Sequence, residues 1–398
     1  MDIVPFPSPT GRELPVEKHF TYLSKYHSID FLLTTSNQSD FVDHIHRVPK
    51  NLFENLLFIK RVKTKKLISF SKEILQKGMM PFDYQYNEHD IERICKIQYD
   101  LIWFGAFTTL GLLDLITKHY NGNPKFGISL HDVIYWSYRS ALLKYNKYGR
   151  RDMQKLLQFI RSYFIKSSES RILKKCDIIH VVSKKERSIC LKLINEEERK
   201  KVMMVPNGIP KEFLEINPDL NSNILLFFTH LSGGRRWEHK WFFDHVWHII
   251  RAKSDLEVWL VGSPSKQRLK LEGDSRVKVK GFVNDLKIPL SSACMCILPV
   301  FHQSGQLNRL FLSMAAGLPL VLTSTAHSTA PELVHCQEVF IANNPEQFAE
   351  GVLHIYQSKQ LMRDMSVHAK NWIHTKHTWE ESSEQFRQFI DSQITRSL

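Results

Sequence analysis

The tightest constraint on this chain lies in residues 298–323, LPVFHQSGQLNRLFLSMAAGLPLVLT. An apolar run, Met295, Cys296, Ile297, Leu298 and Pro299, reads as a buried strand and leads into a loop holding Ser304 and Gly305. Leu307, Leu310, Phe311 and Met314 then recur at three- and four-residue spacing, which predicts a helix. Gly317-Leu318-Pro319 stops it ahead of a second apolar strand. Strand, loop, helix and strand make a βαβ unit, which sets the loop and the helix's first turn at the carboxyl edge of a parallel sheet. The N–H groups of that turn, Gly305 with no side chain and the Arg309 guanidinium together suit an anionic group, most simply a phosphate. The plainer reading is an ordinary βαβ unit with a solvated arginine, since neither a Walker-type Gly-Lys nor a GxGxxG spacing accompanies it.

Resemblance adds to this. Ser304-Gly305-x-x-Asn308-Arg309, followed by Leu-Phe-Leu-Ser-Met-Ala-Ala-Gly-Leu-Pro-Leu-Val, resembles the donor-site segment of the retaining GT-B glycosyltransferases (group 1, family 4-like). That family shows Gly-x-x-Asn-Lys and then Leu-Glu-Ala-Met-Ala-x-Gly-x-Pro-Val-Val. Two positions depart from the pattern: Arg309 replaces the usual lysine, keeping the charge and changing its shape, and Leu312 replaces the family's ribose-binding glutamate. Ser304 stands where many members carry a further glutamate.

A chain of 398 residues exceeds what one core usually serves, so two domains are expected, and 43% hydrophobic residues suffice to pack them. The net charge of +13 implies attraction to something acidic: a nucleotide-sugar, an anionic lipid headgroup or nucleic acid. Its densest cluster, Lys60, Arg61, Lys63, Lys65 and Lys66, reads as a solvated loop or helix face, a membrane or lipid-acceptor contact, or a nucleic-acid patch. No nucleic-acid-binding motif supports the last, so no nucleic-acid partner is expected. Six scattered cysteines without a CxxC pair suit a reducing compartment, and Cys294 and Cys296 are expected to face the same way in one strand. No signal peptide is visible at the amino terminus, and the most apolar segment, residues 101–113, is too short to span a bilayer. The expected location is cytoplasmic, peripheral on the inner membrane face.

Residues 28–35, 99–104, 126–130 and 178–182 read as strands separated by helical patterns, and residues 224–229, 258–261 and 277–283 continue the series. Such alternation predicts open, mostly parallel sheets with helices on both faces. A helix built on Trp241, Phe242, His245, Val246, Ile249 and Ile250 and an amphipathic helix from Thr378 complete the pattern. The resemblance implies an α/β GT-B fold, two Rossmann-like parallel-sheet domains facing across a cleft. It places an acceptor-binding domain at 1–205, a linker at 206–210 around Pro206-Asn207-Gly208, a donor-binding domain at 211–375, and a helix at 376–398 returning to the first domain.

Glycosyl transfer must stabilise a departing diphosphate, by a metal ion or by fixed cations and N–H groups. The chain has no Asp-x-Asp pair and no zinc motif, so no metal site is expected, and no cofactor beyond a UDP- or GDP-sugar co-substrate. The resemblance implies a donor site of Ser232, Gly233, Gly234, Arg236 and Lys240 in one loop, with Arg235 as an alternative cation. Ser304, Gly305, Asn308 and Arg309 form a second loop, and Gly262, Phe282 and Val283 are assigned to the same site. His131, ending the strand of ISLHD, resembles the family's cleft histidine, which contacts the reacting sugar. Thr10, Gly11 and Asp132 are assigned to the acceptor, and His131 and Arg309 to catalysis. Asp132 is also the nearest candidate base should the enzyme invert. The chain so read transfers a hexose to a glycan or lipid-linked acceptor, with retention and without metal. The alternative is a GT-B-shaped binding or partner subunit without activity, motivated by Leu312, whose aliphatic side chain makes no hydrogen bond to a ribose.

Overall fold

The computed structural model describes residues 14–35, 48–49, 51–63, 84–105, 107–131, 133–136, 139, 152–228, 236–262, 274–301, 305–374 and 377–395. The chain divides into two compact units, Met1–Asn207 with Trp379–Leu398, and Gly208–Thr378.

The second unit holds six parallel strands: β8 (Ile224–Phe228), β9 (Glu257–Val261), β10 (Val277–Gly281), β11 (Met295–Leu298), β12 (Leu320–Leu322) and β13 (Phe340–Ile341). Their order is β10-β9-β8-β11-β12-β13. The chain thus builds outward from β8 in one direction, then returns to start again with β11 on β8's other side. That reversal is the topological switch point of a doubly wound sheet, where two crossovers diverge and leave a crevice at the carboxyl ends of the strands. Alternation along each strand feeds two cores. Leu225, Phe227, Met295 and Ile297 pack with the helix Pro345–Gln357 on one face, and Leu226, Cys296 and Leu298 with the helix Asn308–Ala315 on the other. Cys294 and Cys296 therefore do not share a face, because Cys294 precedes β11 and packs with Met295 and Ile297. The helix expected around Trp241 starts earlier, at Arg236, and widens into a π turn over Phe242–Val246 before resuming at Trp247–Lys253. The widened turn lets Phe242, Val246 and Trp247 all reach the core.

In the first unit, β4 (Leu101–Phe104), β5 (Lys125–Leu130), β6 (Ile178–Val181) and β7 (Val202–Met204) lie side by side, all parallel. A separate sheet joins β1 (Phe31–Thr35) and β2 (Leu56–Lys63) in parallel, with β3 (Tyr84–Tyr86) antiparallel at β2's other edge. The basic run through Lys60, Arg61 and Lys63 is thus part of a strand, not a loop or helix face, while Lys65 and Lys66 lie outside the described residues. The reason is the apolar lead-in: Leu57 and Ile59 alternate into the core and carry the charges into the sheet, leaving Lys60 exposed. Among the described residues, no helix is long and apolar enough to cross a membrane.

The carboxyl-terminal helix Trp379–Ile394 packs on the helix Leu14–Leu23 through Phe386 and Ile390. Two buried histidines sit beneath it. His19 Nδ1 meets Ser383 Oγ at 3.0 Å and its ring stacks on Phe386. His180 donates from Nε2 to the Val205 carbonyl at 2.9 Å, and its Nδ1 lies 3.2 Å from Ser129 Oγ. Burial pushes His180 down from 6.5 to about 4, against the Val205 bond. Burial first, then the neighbouring His180 and His131, hold His19 well below its usual value.

Both histidines are neutral in the fold and charge on unfolding, so below pH ~6.5 the unfolded chain binds protons that the native chain refuses. The stability of this unit is expected to fall by roughly 2 kcal/mol between pH 7 and 5 from His180 alone. Chemical denaturation at several pH values checks it, and constant stability across that window would contradict it.

Candidate functional site

The switch point is where the chain assembles its polar groups. Strand β8 ends at Phe228 and β11 at Leu298, and the helix Asn308–Ala315 begins just beyond β11. Gly305 is buried with φ 66°, a conformation open to glycine at little cost. The chain can turn there without a side chain blocking the approach to the helix start. No side chain caps that helix at Leu307. Thr323, at the end of β12, holds the segment from the other side through a hydrogen bond from its hydroxyl to the Val300 carbonyl.

Arg309 is largely buried, its side chain 11% exposed. Its Nη1 donates to the Phe228 carbonyl at 2.8 Å, and Nη2 lies 3.5 Å from the Glu238 carboxylate, itself 4% exposed. One guanidinium therefore links three elements at the crevice: the end of β8, the helix Arg236–Trp241 and the helix Asn308–Ala315. Burial keeps water from screening the pair and makes each partner costly without the other. Glu238 was not legible as a site residue, because it lies among charged residues at a helix start and far from Arg309 along the chain. Beside it, fully buried His239 stacks on Phe227, ring centres 5.1 Å apart.

Gly262 and Gly281 close the ends of β9 and β10 on each other, with the Gly262 N–H donating to the Gly281 carbonyl at 2.8 Å. Their φ values, 153° and 65°, favour glycine at both. Phe282, 66% exposed, and half-buried Val283 follow at the same edge. Gly262, Phe282, Val283, Gly305, Asn308 and Arg309 all lie at the carboxyl edge of this one sheet. Lys240 is exposed and pairs with Asp244 on its own helix. Leu312, half-buried, packs against the core that includes Leu310 and Met314. Ser232, Gly233, Gly234, Arg235, Ser304, Thr10, Gly11 and Asp132 lie outside the described residues, as does the Arg236 side chain.

In the first unit, His131 directly follows β5 and is half-buried. The next residues are held by two fully buried glutamates: Glu186 accepts from the Val133 N–H at 2.7 Å, and Glu169 accepts from Ile134 and Tyr135 at 3.0 and 2.9 Å. Burial lifts the Glu169 carboxyl to about 7, against the pull of those two N–H groups, and Glu186 nearby lifts it further. An apolar cavity of about 630 Å³ opens in the same unit, lined by Phe53, Leu57, Leu101, Trp103, Ile116 and Ile390 among others.

Residues 222–358, which hold the sheet with the switch point, match the family model described as Glycosyl transferases group 1. The fold is that of GT-B glycosyltransferases. The chain is similar to Alr3699/HepE of Anabaena, solved with UDP and glucose, at 13% identity and TM-score 0.63 over 97% of both chains. It is also similar to sucrose-phosphate synthase of Thermosynechococcus elongatus, at 14% identity and TM-score 0.66 over 97% of this chain and 94% of that one. WaaG, a glycosyltransferase involved in lipopolysaccharide biosynthesis, aligns at 14% identity and TM-score 0.60 over 96% of each. No curated protein sequence matches the chain.

Arg309→Ala strands a buried carboxylate and is expected to cost about 3–5 kcal/mol of stability. Adding Glu238→Gln should restore part of it. Denaturant titration of both variants checks the coupling; equal stability of Arg309→Ala and the wild type would show that the pair contributes nothing.

Proposed function

We propose that the protein transfers a hexose from a UDP- or GDP-sugar to a glycan or lipid-linked acceptor, with retention and without a metal ion. The observation that carries the reading is Gly305, the start of the helix Asn308–Ala315 and Arg309 gathered at the switch point of the sheet that the family model covers. Charge developing on a leaving diphosphate is stabilised by N–H groups and cations already fixed in place, and Arg236 and Lys240 of the helix Arg236–Trp241 add to them. His131, at the carboxyl end of β5, contacts the reacting sugar, and the leaving phosphate accepts the acceptor's proton, so no side-chain base is required.

The likeness to a fold solved with UDP and glucose supports a UDP-sugar over other donors. The apolar cavity of about 630 Å³ supports a lipid-linked acceptor, since it falls within the ~300–1,000 Å³ of ligand pockets and is mostly apolar. The net charge of +13, with Lys60 exposed on β2, supports attachment to an anionic membrane surface. A second reading, a GT-B-shaped binding or partner subunit without activity, is favoured by Leu312, which packs into the core where the resembled family has a ribose-binding glutamate.

Titration calorimetry with UDP, GDP and their sugars, followed by mass-spectrometric detection of released nucleoside diphosphate, tests the reading. UDP binding with release from a UDP-sugar is expected. Gly305→Val should lose binding at least tenfold, because a β-branched residue resists φ 66° and its side chain would fill the approach. No binding of any nucleotide favours the second reading, and binding without release from any sugar overturns the transfer.

A further inference from the structure

We infer that Glu169 and Glu186 are positioning residues for the reaction, clamping the segment behind His131 so that its imidazole meets the donor sugar in one orientation. The inference rests on the glycosyl-transfer reading above. Three consecutive N–H groups, those of Val133, Ile134 and Tyr135, emerge where β5 ends, and all three are taken by carboxylates. The two glutamates come from different helices, Asp152–Lys175 and Lys184–Cys190, and both are fully buried. A serine, threonine or asparagine beside the segment would satisfy such N–H groups without placing a charge in the core. Burying two carboxylates is costly, and what it returns is direction: each Glu169 oxygen has its own N–H, which fixes both the position and the rotation of the backbone that follows His131. Glu186 is itself anchored, its own N–H donating to Ser183 Oγ at 3.1 Å. A reacting group displaced by about 1 Å loses on the order of a hundredfold in rate, so a stiff support beneath His131 acts on turnover more than on donor affinity.

Each carboxylate is tested by a substitution that removes its contact. Glu169→Gln turns one acceptor into a donor facing an N–H, so one of its two bonds is lost. Glu186→Ala removes the acceptor that the Val133 N–H uses. The test combines residue-resolved hydrogen–deuterium exchange with steady-state kinetics on a UDP-sugar and calorimetry with UDP. For Glu169→Gln the expected result is exchange at Ile134 or Tyr135 faster by about tenfold or more, with kcat lower by a similar factor. KM and UDP affinity should stay within about twofold of wild type. For Glu186→Ala the expected result is exchange at Val133 faster by about tenfold or more, with kcat again lower and UDP affinity within about twofold of wild type. Ile134→Pro, which removes one donor and leaves Glu169 in place, reads the same contact should Glu169→Gln fail to fold, and the same loss of kcat is expected of it. Unchanged exchange overturns the clamp. Faster exchange with unchanged kcat, or a fall in kcat matched by the fall in folded fraction, overturns its positioning role. A wild type that releases no UDP from any sugar overturns the reaction and the positioning role with it; this is distinguishable from failure of the clamp, which the exchange measurement reads without substrate.

Discussion

The contact on which the architecture of the switch point depends is the guanidinium of Arg309 lying between the last carbonyl of β8 and the buried carboxylate of Glu238. A doubly wound sheet leaves a crevice where its strand order reverses, but a crevice alone has no fixed geometry. Here one planar cation, carried on the first turn of its own helix, bonds a strand end and pairs with a neighbouring helix. A lysine carries one charge without the fork, and would not hold two differently placed partners so rigidly. The pairing with Glu238 holds the guanidinium in a water-poor setting at the first turn of the helix Asn308–Ala315.

Much of this was written in the sequence, and the reason is local. The strand–loop–helix–strand pattern of residues 295–322 is set by apolar spacing and by Gly317, whose φ of 77° ends the helix, and both are short-range signals. Most parallel strands of both units were legible for the same reason, to within a few residues at their ends, but β2, β7 and β13 were not. What escaped were partners set by tertiary contact. Nothing near Glu238 marks it as the counter-charge of Arg309, and nothing near Glu169 or Glu186 marks them as acceptors for the backbone after His131. The basic run after Leu57 was misread because its charges outweigh, to the eye, the two apolar residues that commit it to β2. Cys294 was placed on the wrong face because alternation was extended one residue too far, to a position before the strand begins.

The first unit shows a different use of buried polar groups. His19 and His180 stay neutral beneath the carboxyl-terminal helix, His19 bonded through Nδ1 to Ser383 and His180 through both ring nitrogens to Ser129 and the Val205 carbonyl. Each bond joins segments far apart in the chain, so the carboxyl-terminal helix is specified by hydrogen-bond direction as well as by Phe386 and Ile390 in the apolar contact. Glu169 and Glu186 extend the principle to the backbone that follows His131. Groups that are expensive to bury thus recur where the sheet hands the chain over to residues with a proposed role, as in the Arg309–Glu238 pair of the other unit.

The most direct measurement of the central claim is a crystal structure of the protein grown with UDP. The account predicts the two phosphates at the start of the helix Asn308–Ala315, within hydrogen-bond reach of the Gly305 backbone and with the Arg309 guanidinium on a phosphate oxygen. Nucleotide bound away from the carboxyl ends of β8 and β11, or seated there with Arg309 making no approach to it, would contradict that claim.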